Sequence, residues 1–225
     1  MMTTNKLTKT FASGSLAIGV LAGAVLTATS ASAANVLTWG EWVGTPTTLG
    51  TPLEFGDKIV KFVSGSITGG FVAEALDEVM LMQMGDHYYF AYDAVTALAP
   101  APNMSPGSFT YTIAVNPLSS PKSIVGVDLD SNVSSNYGSV TETFAEISNV
   151  LVSTNGSQDP ASGFYPIAPK KLLTVTNTLT DPMSPTEGLF QLQNSFHQTV
   201  PEPGTVLGLL AVGGLGLVSR FKKQK

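Results

Sequence analysis

The chain contains two histidines and no cysteine. His87 and His197 lie far apart, and neither stands in an H-E-x-x-H pair of the kind that holds zinc on a helix. No G-x-S-x-G elbow, phosphate loop or dinucleotide fingerprint occurs. A Ser-His-Asp site is recognised by geometry rather than by sequence position, so two readings of the histidines stand. Either one belongs to a triad assembled from distant strands, or His87 opens a strand and His197 sits in a linker. The missing cysteines exclude a disulfide framework, a thiolate metal site and a Cys nucleophile.

The most suggestive acidic cluster is "DLDSN", in which Asp128, Asp130 and Asn132 occupy alternate positions. That is the spacing with which a calcium loop presents oxygens to one ion. Val133 stands where an EF-hand needs glycine and Ser139 where it needs a bidentate glutamate, so the segment is not an EF-hand. Two readings follow: a simpler Ca2+ site in a loop at a sandwich edge, or a strand end followed by a polar turn. No other cofactor is implied.

Glu74, Asp77 and Glu78 resemble paired carboxylates for glycoside chemistry, but sequence does not set the separation that chemistry needs. A solvated acidic face is the simpler reading. Trp39 and Trp42, with Tyr88, Tyr89 and Tyr92, are either aromatics that stack on sugar rings or members of the core.

The elements that must position these residues read as strands. Gly, Pro, Ser and Thr are abundant and only 12% of residues are charged, a balance that favours strands and turns over surface helices. In "SFTYTIAVN" Phe109, Tyr111, Ile113 and Val115 share one face of a period-two pattern. "KLLTVTNTL" places Leu173, Val175 and Leu179 inward, with Asn177 breaking the apolar face. Weaker candidates start at Lys58, Ser123, Ile147 and Gly188. The segment from Phe71 to Met84 has helix-forming content, but Gly85-Asp86 is a two-residue turn flanked by β-formers. A hairpin of Glu78 to Met84 with His87 to Val95 is therefore preferred. Loops dense in Pro, Gly, Asn and Ser separate the segments. The fold class predicted is all-β, a single antiparallel β-sandwich-like domain over residues 34–195.

The two ends differ from this body. Lys6 and Lys9 precede the apolar run Leu16 to Leu26, and Ala31 and Ala33 occupy an A-x-A cleavage site. Residues 1–33 thus read as a secretory signal peptide handled by the Sec export machinery, cleaved after Ala33 with Ala34 as a close alternative. At the other end, residues 196–200 read as a linker. Thr205 to Val218 is uncharged and apolar, and as a helix it would span about 21 Å, short of the roughly 30 Å hydrocarbon core. The basic residues that follow would remain on the cytoplasmic side, leaving the body outside.

Six of the eleven basic residues lie in these terminal segments. The body between Ala34 and Pro203 has five lysines against all sixteen acids, a formal charge of about −11 that repels phosphate backbones. Nucleic acid is not an expected partner.

Pro201-Glu202-Pro203, then an apolar segment, then Arg220, Lys222 and Lys223 near the terminus resemble the PEP-CTERM sorting signal of bacterial surface proteins. The resemblance covers residues 201–225 and implies processing by an exosortase-type membrane protease. Pro201, Glu202 and Pro203 would be the recognition triplet and Arg220, Lys222 and Lys223 the retention cluster. It also implies association with exopolysaccharide and biofilm. The alternative for the tail is a plain membrane anchor without processing. Three functions are therefore open. The first is a non-catalytic surface or extracellular-matrix protein, the second a carbohydrate-binding module using exposed aromatics, with or without calcium at Asp128 and Asp130, and the third a secreted hydrolase.

Overall fold

The computed structural model describes residues 34–65, 75–180 and 186–199. The expected signal peptide with Ala31 and Ala33, the carboxylate Glu74, the triplet Pro201, Glu202 and Pro203, and the cluster Arg220, Lys222 and Lys223 lie outside them.

The elements are β1 (Asn35–Thr38), α1 (Trp39–Val43), β2 (Gly44–Thr45), β3 (Thr48–Leu49), β4 (Leu53–Phe55), β5 (Lys58–Gly65), β6 (Glu78–Met84) and β7 (His87–Asp93). They continue with β8 (Gly107–Val115), β9 (Ser123–Val133), β10 (Ser139–Phe144), β11 (Val150–Thr154), β12 (Tyr165–Lys170), β13 (Leu172–Leu179) and β14 (Leu189–Thr199). Two six-stranded sheets have the orders β1-β6-β7-β14-β9-β12 and β11-β10-β13-β8-β5-β4, and β2 pairs with β3 apart from them. Every strand pairing in both is antiparallel. The protein is all-β, with two antiparallel sheets packed face to face.

Alternation explains the packing. Phe109, Tyr111, Ile113 and Val115 of β8 are buried, as are Leu173 and Val175 of β13. Burying each such side chain contributes roughly 1.5–3 kcal/mol. The hairpin β6–β7 forms around Gly85-Asp86, with Met84 and His87 as register partners. Its glycine has φ 64°, as the primed hairpin turns require at their first central position.

Two expectations change. Residues 196–199 are not a linker, because β14 runs to Thr199 in the middle of its sheet, between β7 and β9; residue 200 lies outside the described residues. Its polar residues find partners: Asn194 accepts from Tyr111 Oη at 2.9 Å and exchanges hydrogen bonds with Asn177. Asn177, which breaks the pattern of β13, is for that reason fully buried.

The aromatics near the start of the body are core. Thr38 caps α1 in a reciprocal box with Glu41, and the short helix turns Trp39 and Trp42 inward, 2% and 1% exposed. Trp42 packs 5.2 Å from both Phe62 and Phe90 between ring centroids. Tyr88 and Tyr92 are buried too, and Tyr89 is half-buried. Asp77 is not on a solvated face: it is buried, and its Oδ2 accepts from Tyr92 Oη at 2.5 Å.

Candidate functional site

Two hairpin turns of the same composition meet at one end of the sandwich. Gly56-Asp57 joins β4 to β5 in one sheet, and Gly85-Asp86 joins β6 to β7 in the other. Gly56 has φ 56°, and a Cβ there would lie 2.3 Å from Tyr88 Oη, so the first turn is pressed directly against β7. Each turn delivers an aspartate beside a basic residue that opens the next strand: Asp57 before Lys58, and Asp86 before His87. The C-terminal end of β14 closes the arrangement, its Gln198 N–H donating to Asp86 O at 3.1 Å.

Because successive strand residues face opposite ways, β7 and β14 build two different clusters. Tyr88 and Gln198 turn toward the interior. There the Lys58 ammonium, 1% exposed, donates to Asp57 Oδ1 at 2.7 Å and to Gln198 Oε1 at 2.5 Å. It also sits 4.3 Å from the centre of the Tyr88 ring. Burial lowers the Lys58 pKa and Asp57 opposes the shift only in part. Burial also acts on Asp57, but Lys58, the Tyr88 hydroxyl and Lys122 outweigh it and hold that carboxyl below its usual value. Burial pushes the Tyr88 phenol up to about 12, so it stays protonated. Lys122 Nζ stands 3.7 Å from Asp57 Oδ2, and Lys171 donates to the carbonyls of Ser120 and Lys122. Three of the five body lysines therefore gather here. An open depression of about 400 Å³, lined by Gln83, Gly85, Asp86, Lys122, Gln198 and Thr199, leads to the cluster from solvent.

His87 and His197 turn the other way. They are register partners on β7 and β14, with ring centroids 3.8 Å apart. His197 Nε2–H donates to Asp128 Oδ2 at 2.7 Å, while His87 Nε2 is 3.1 Å from Asp86 Oδ1 and its Nδ1 is 3.4 Å from Tyr89 Oη. Phe164 lies over His197 at 4.0 Å, in the space left by Gly126, where a Cβ would come within 2.2 Å of the Phe164 ring. Burial and then the neighbouring His197 lower the His87 pKa, against the pull of Asp86 and Asp128. Neither imidazole hydrogen-bonds a serine hydroxyl among the described residues.

The structure thus brings together the two histidines that the sequence left apart, and adds Asp128 to them. It separates Asp128 from the expected calcium loop. Asp128, Asp130 and Asn132 lie on β9, a strand, not in a turn. Alternate strand residues are about 7 Å apart along the chain, so their oxygens form a ladder and do not wrap one ion. Among the described residues no group of three or more His, Asp or Glu is arranged to hold a metal. Ala34, the alternative cleavage residue, is exposed just before β1. Composition did not reveal the Lys58 cluster. A signal was present in the paired triplets Gly56-Asp57-Lys58 and Gly85-Asp86-His87, each between alternating segments.

Fold and rim together define an all-antiparallel β-sandwich whose last described strand, β14, ends beside a buried lysine. Residues 199–223 match the model of the PEP-CTERM protein-sorting motif, so this is a PEP-CTERM sorting domain-containing protein. The motif implies export, C-terminal membrane anchoring before cleavage, and processing by exosortase, a membrane protein. No curated protein matches the chain. Among the described residues no helix is long and apolar enough to cross a membrane, and the expected span Thr205 to Val218 lies outside them.

Proposed function

We propose that the body is a non-catalytic structural or adhesive component of the cell surface or extracellular matrix, associated with exopolysaccharide, and delivered there by its C-terminal signal. One observation carries this reading: β14 is central in its sheet and ends at Thr199, the residue at which the sorting motif begins. The segment that carries the signal thus continues a strand paired on both sides, an arrangement suited to a folded cargo delivered by its C-terminus. Of the aromatics that a sugar-binding groove would use, Trp39, Trp42, Tyr88 and Tyr92 lie in the core and Tyr89 is half-buried. That weighs against the carbohydrate-module alternative. Among the described residues neither imidazole hydrogen-bonds a serine hydroxyl, so a hydrolase of the triad type gains no support from the geometry.

The test is the mass and C-terminal residue of the protein recovered from the envelope and medium of its host, with co-sedimentation on the host exopolysaccharide. A terminus near Pro203, lacking Arg220 to Lys225, and polysaccharide-dependent pelleting are expected. An intact Lys225 in the membrane fraction would overturn the processing step, and failure to pellet would overturn the matrix role.

A further inference from the structure

We propose that Lys58 and Gln198 are joined by an intramolecular isopeptide cross-link, formed with loss of ammonia and with Asp57 as the proton carrier. The pair comes from opposite sheets and from positions 140 residues apart in the chain. It closes the sandwich at the end of its last described strand.

Proximity is the first argument. Lys58 Nζ is 2.5 Å from Gln198 Oε1. With a C=O bond of about 1.23 Å, the carboxamide carbon lies no more than about 3.7 Å from the amine nitrogen. Near-attack geometry needs reacting atoms roughly 3–3.5 Å apart and the amine over the carbonyl carbon, so Nζ must shift from the carboxamide oxygen to the carboxamide face before it attacks. Both residues are held: Lys58 is 1% and Gln198 4% exposed, the former under the Tyr88 ring and the latter tied through its N–H to Asp86. Positions fixed this way give a nucleophile and an electrophile a high effective concentration.

Activation is the second. An ammonium cannot attack a carbonyl, and the amine must first be neutral. Burial disfavours the charged form of Lys58, and Asp57 Oδ1 waits 2.7 Å from its nitrogen. Lys58 passes a proton to the Asp57 carboxylate, an uphill transfer because the same lysine holds that carboxyl below its usual value. The nitrogen lone pair then attacks Cδ of Gln198, forming the new C–N bond as the carbonyl electrons move to oxygen. A second proton leaves Nζ for the departing NH2, carried by Asp57. The old C–N bond breaks, the carbonyl re-forms, and nitrogen departs as ammonium with the Asp57 carboxylate restored. No oxidant or reductant is required. Ammonium has an exit through the open depression that Gln198 and Lys122 line.

Need is the third. The chain has no cysteine, so no disulfide can brace it outside the cell. Gln198 immediately precedes the matched sorting motif, so a bond from it to β5 would tie the end of β14 to the second sheet.

The experiment is the intact mass of the wild-type full chain and of its processed form, followed by tandem mass spectrometry of tryptic peptides. The expected result is a mass about 17 Da below that of the linear sequence between the observed termini, with a branched peptide joining Lys58 to Gln198. The branched peptide separates this from cyclisation of a terminal glutamine or an internal asparagine. Lys58→Arg and Asp57→Asn should each run at the linear mass, and circular dichroism should show the Asp57→Asn chain folded. A folded wild-type protein at the linear mass, with Lys58 and Gln198 in separate peptides, would overturn the proposal. Full cross-linking in Asp57→Asn would overturn the role given to Asp57. Because the branched peptide lies within the body, the result does not depend on how the terminus is processed or on whether the body binds polysaccharide.

Discussion

Glu142 of β10 and Asn177 of β13 are register partners whose side chains both enter the space between the sheets, and both are 0% exposed. Asn177 is satisfied by Asn194, but among the described residues neither carboxylate oxygen of Glu142 has a hydrogen-bond partner. Burial raises the Glu142 pKa well above 4.5, and nearby Asp128 adds to the shift.

Replacement Glu142→Gln should therefore stabilise the protein. The folded state holds the proton more tightly than the unfolded chain, so wild-type stability falls as pH rises from about 4.5 through the folded value. A neutral amide removes that loss. Urea unfolding at pH 7 should show a gain of about 1–3 kcal/mol, and the difference between wild type and variant should shrink toward pH 4.5. A variant less stable than wild type at pH 7 would show that the carboxylate is compensated.

The histidine pair predicts the opposite slope at mildly acidic pH. His87 has its pKa lowered below 6.5, so on acidification the unfolded chain takes up a proton before the folded one. Thermal stability should decline as pH falls below about 6.5 and level off once the folded pKa is passed. His87→Gln, which keeps a polar side chain beside Asp86, Tyr89, His197 and Asp128, should flatten this decline. Identical pH profiles for the two proteins would refute it.

Trp42→Ala tests whether the aromatics serve the core or a ligand. Trp42 contacts Trp39, Phe62, Phe90, Phe109 and Tyr111 and is 1% exposed. Its removal should cost about 3–5 kcal/mol by chemical denaturation, from lost burial and the cavity left behind. A stable variant that has lost affinity for a polysaccharide would instead mark a binding residue.

Much of the fold was legible where hydrophobic residues alternate. The faces of β8 and the β6–β7 hairpin around Gly85-Asp86 emerge as read, because burial on one side of a pleated strand imposes period two on the sequence. Legibility failed where a polar residue faces inward. Glu142 hides β10, and Asn194 makes the end of β14 resemble a linker. Asn194 is tolerated in the core because Tyr111 and Asn177 bond to it, 83 and 17 residues away, which no local pattern records. β12 carries Pro166 and Pro169, which argue against a strand, yet it lies at a sheet edge, where proline is allowed.

The sequence by itself determined the class of the body, the absence of thiol chemistry and the presence of the sorting motif, since these rest on composition and on contiguous residues. Tertiary structure alone decided which side chains meet: Lys58 with Gln198, His87 with His197, and His197 with Asp128. Those encounters depend on the order in which strands enter two sheets and on the turns that aim them. Contacts of that kind arise between segments distant in the chain, so their chemistry appears only when the sheets are packed.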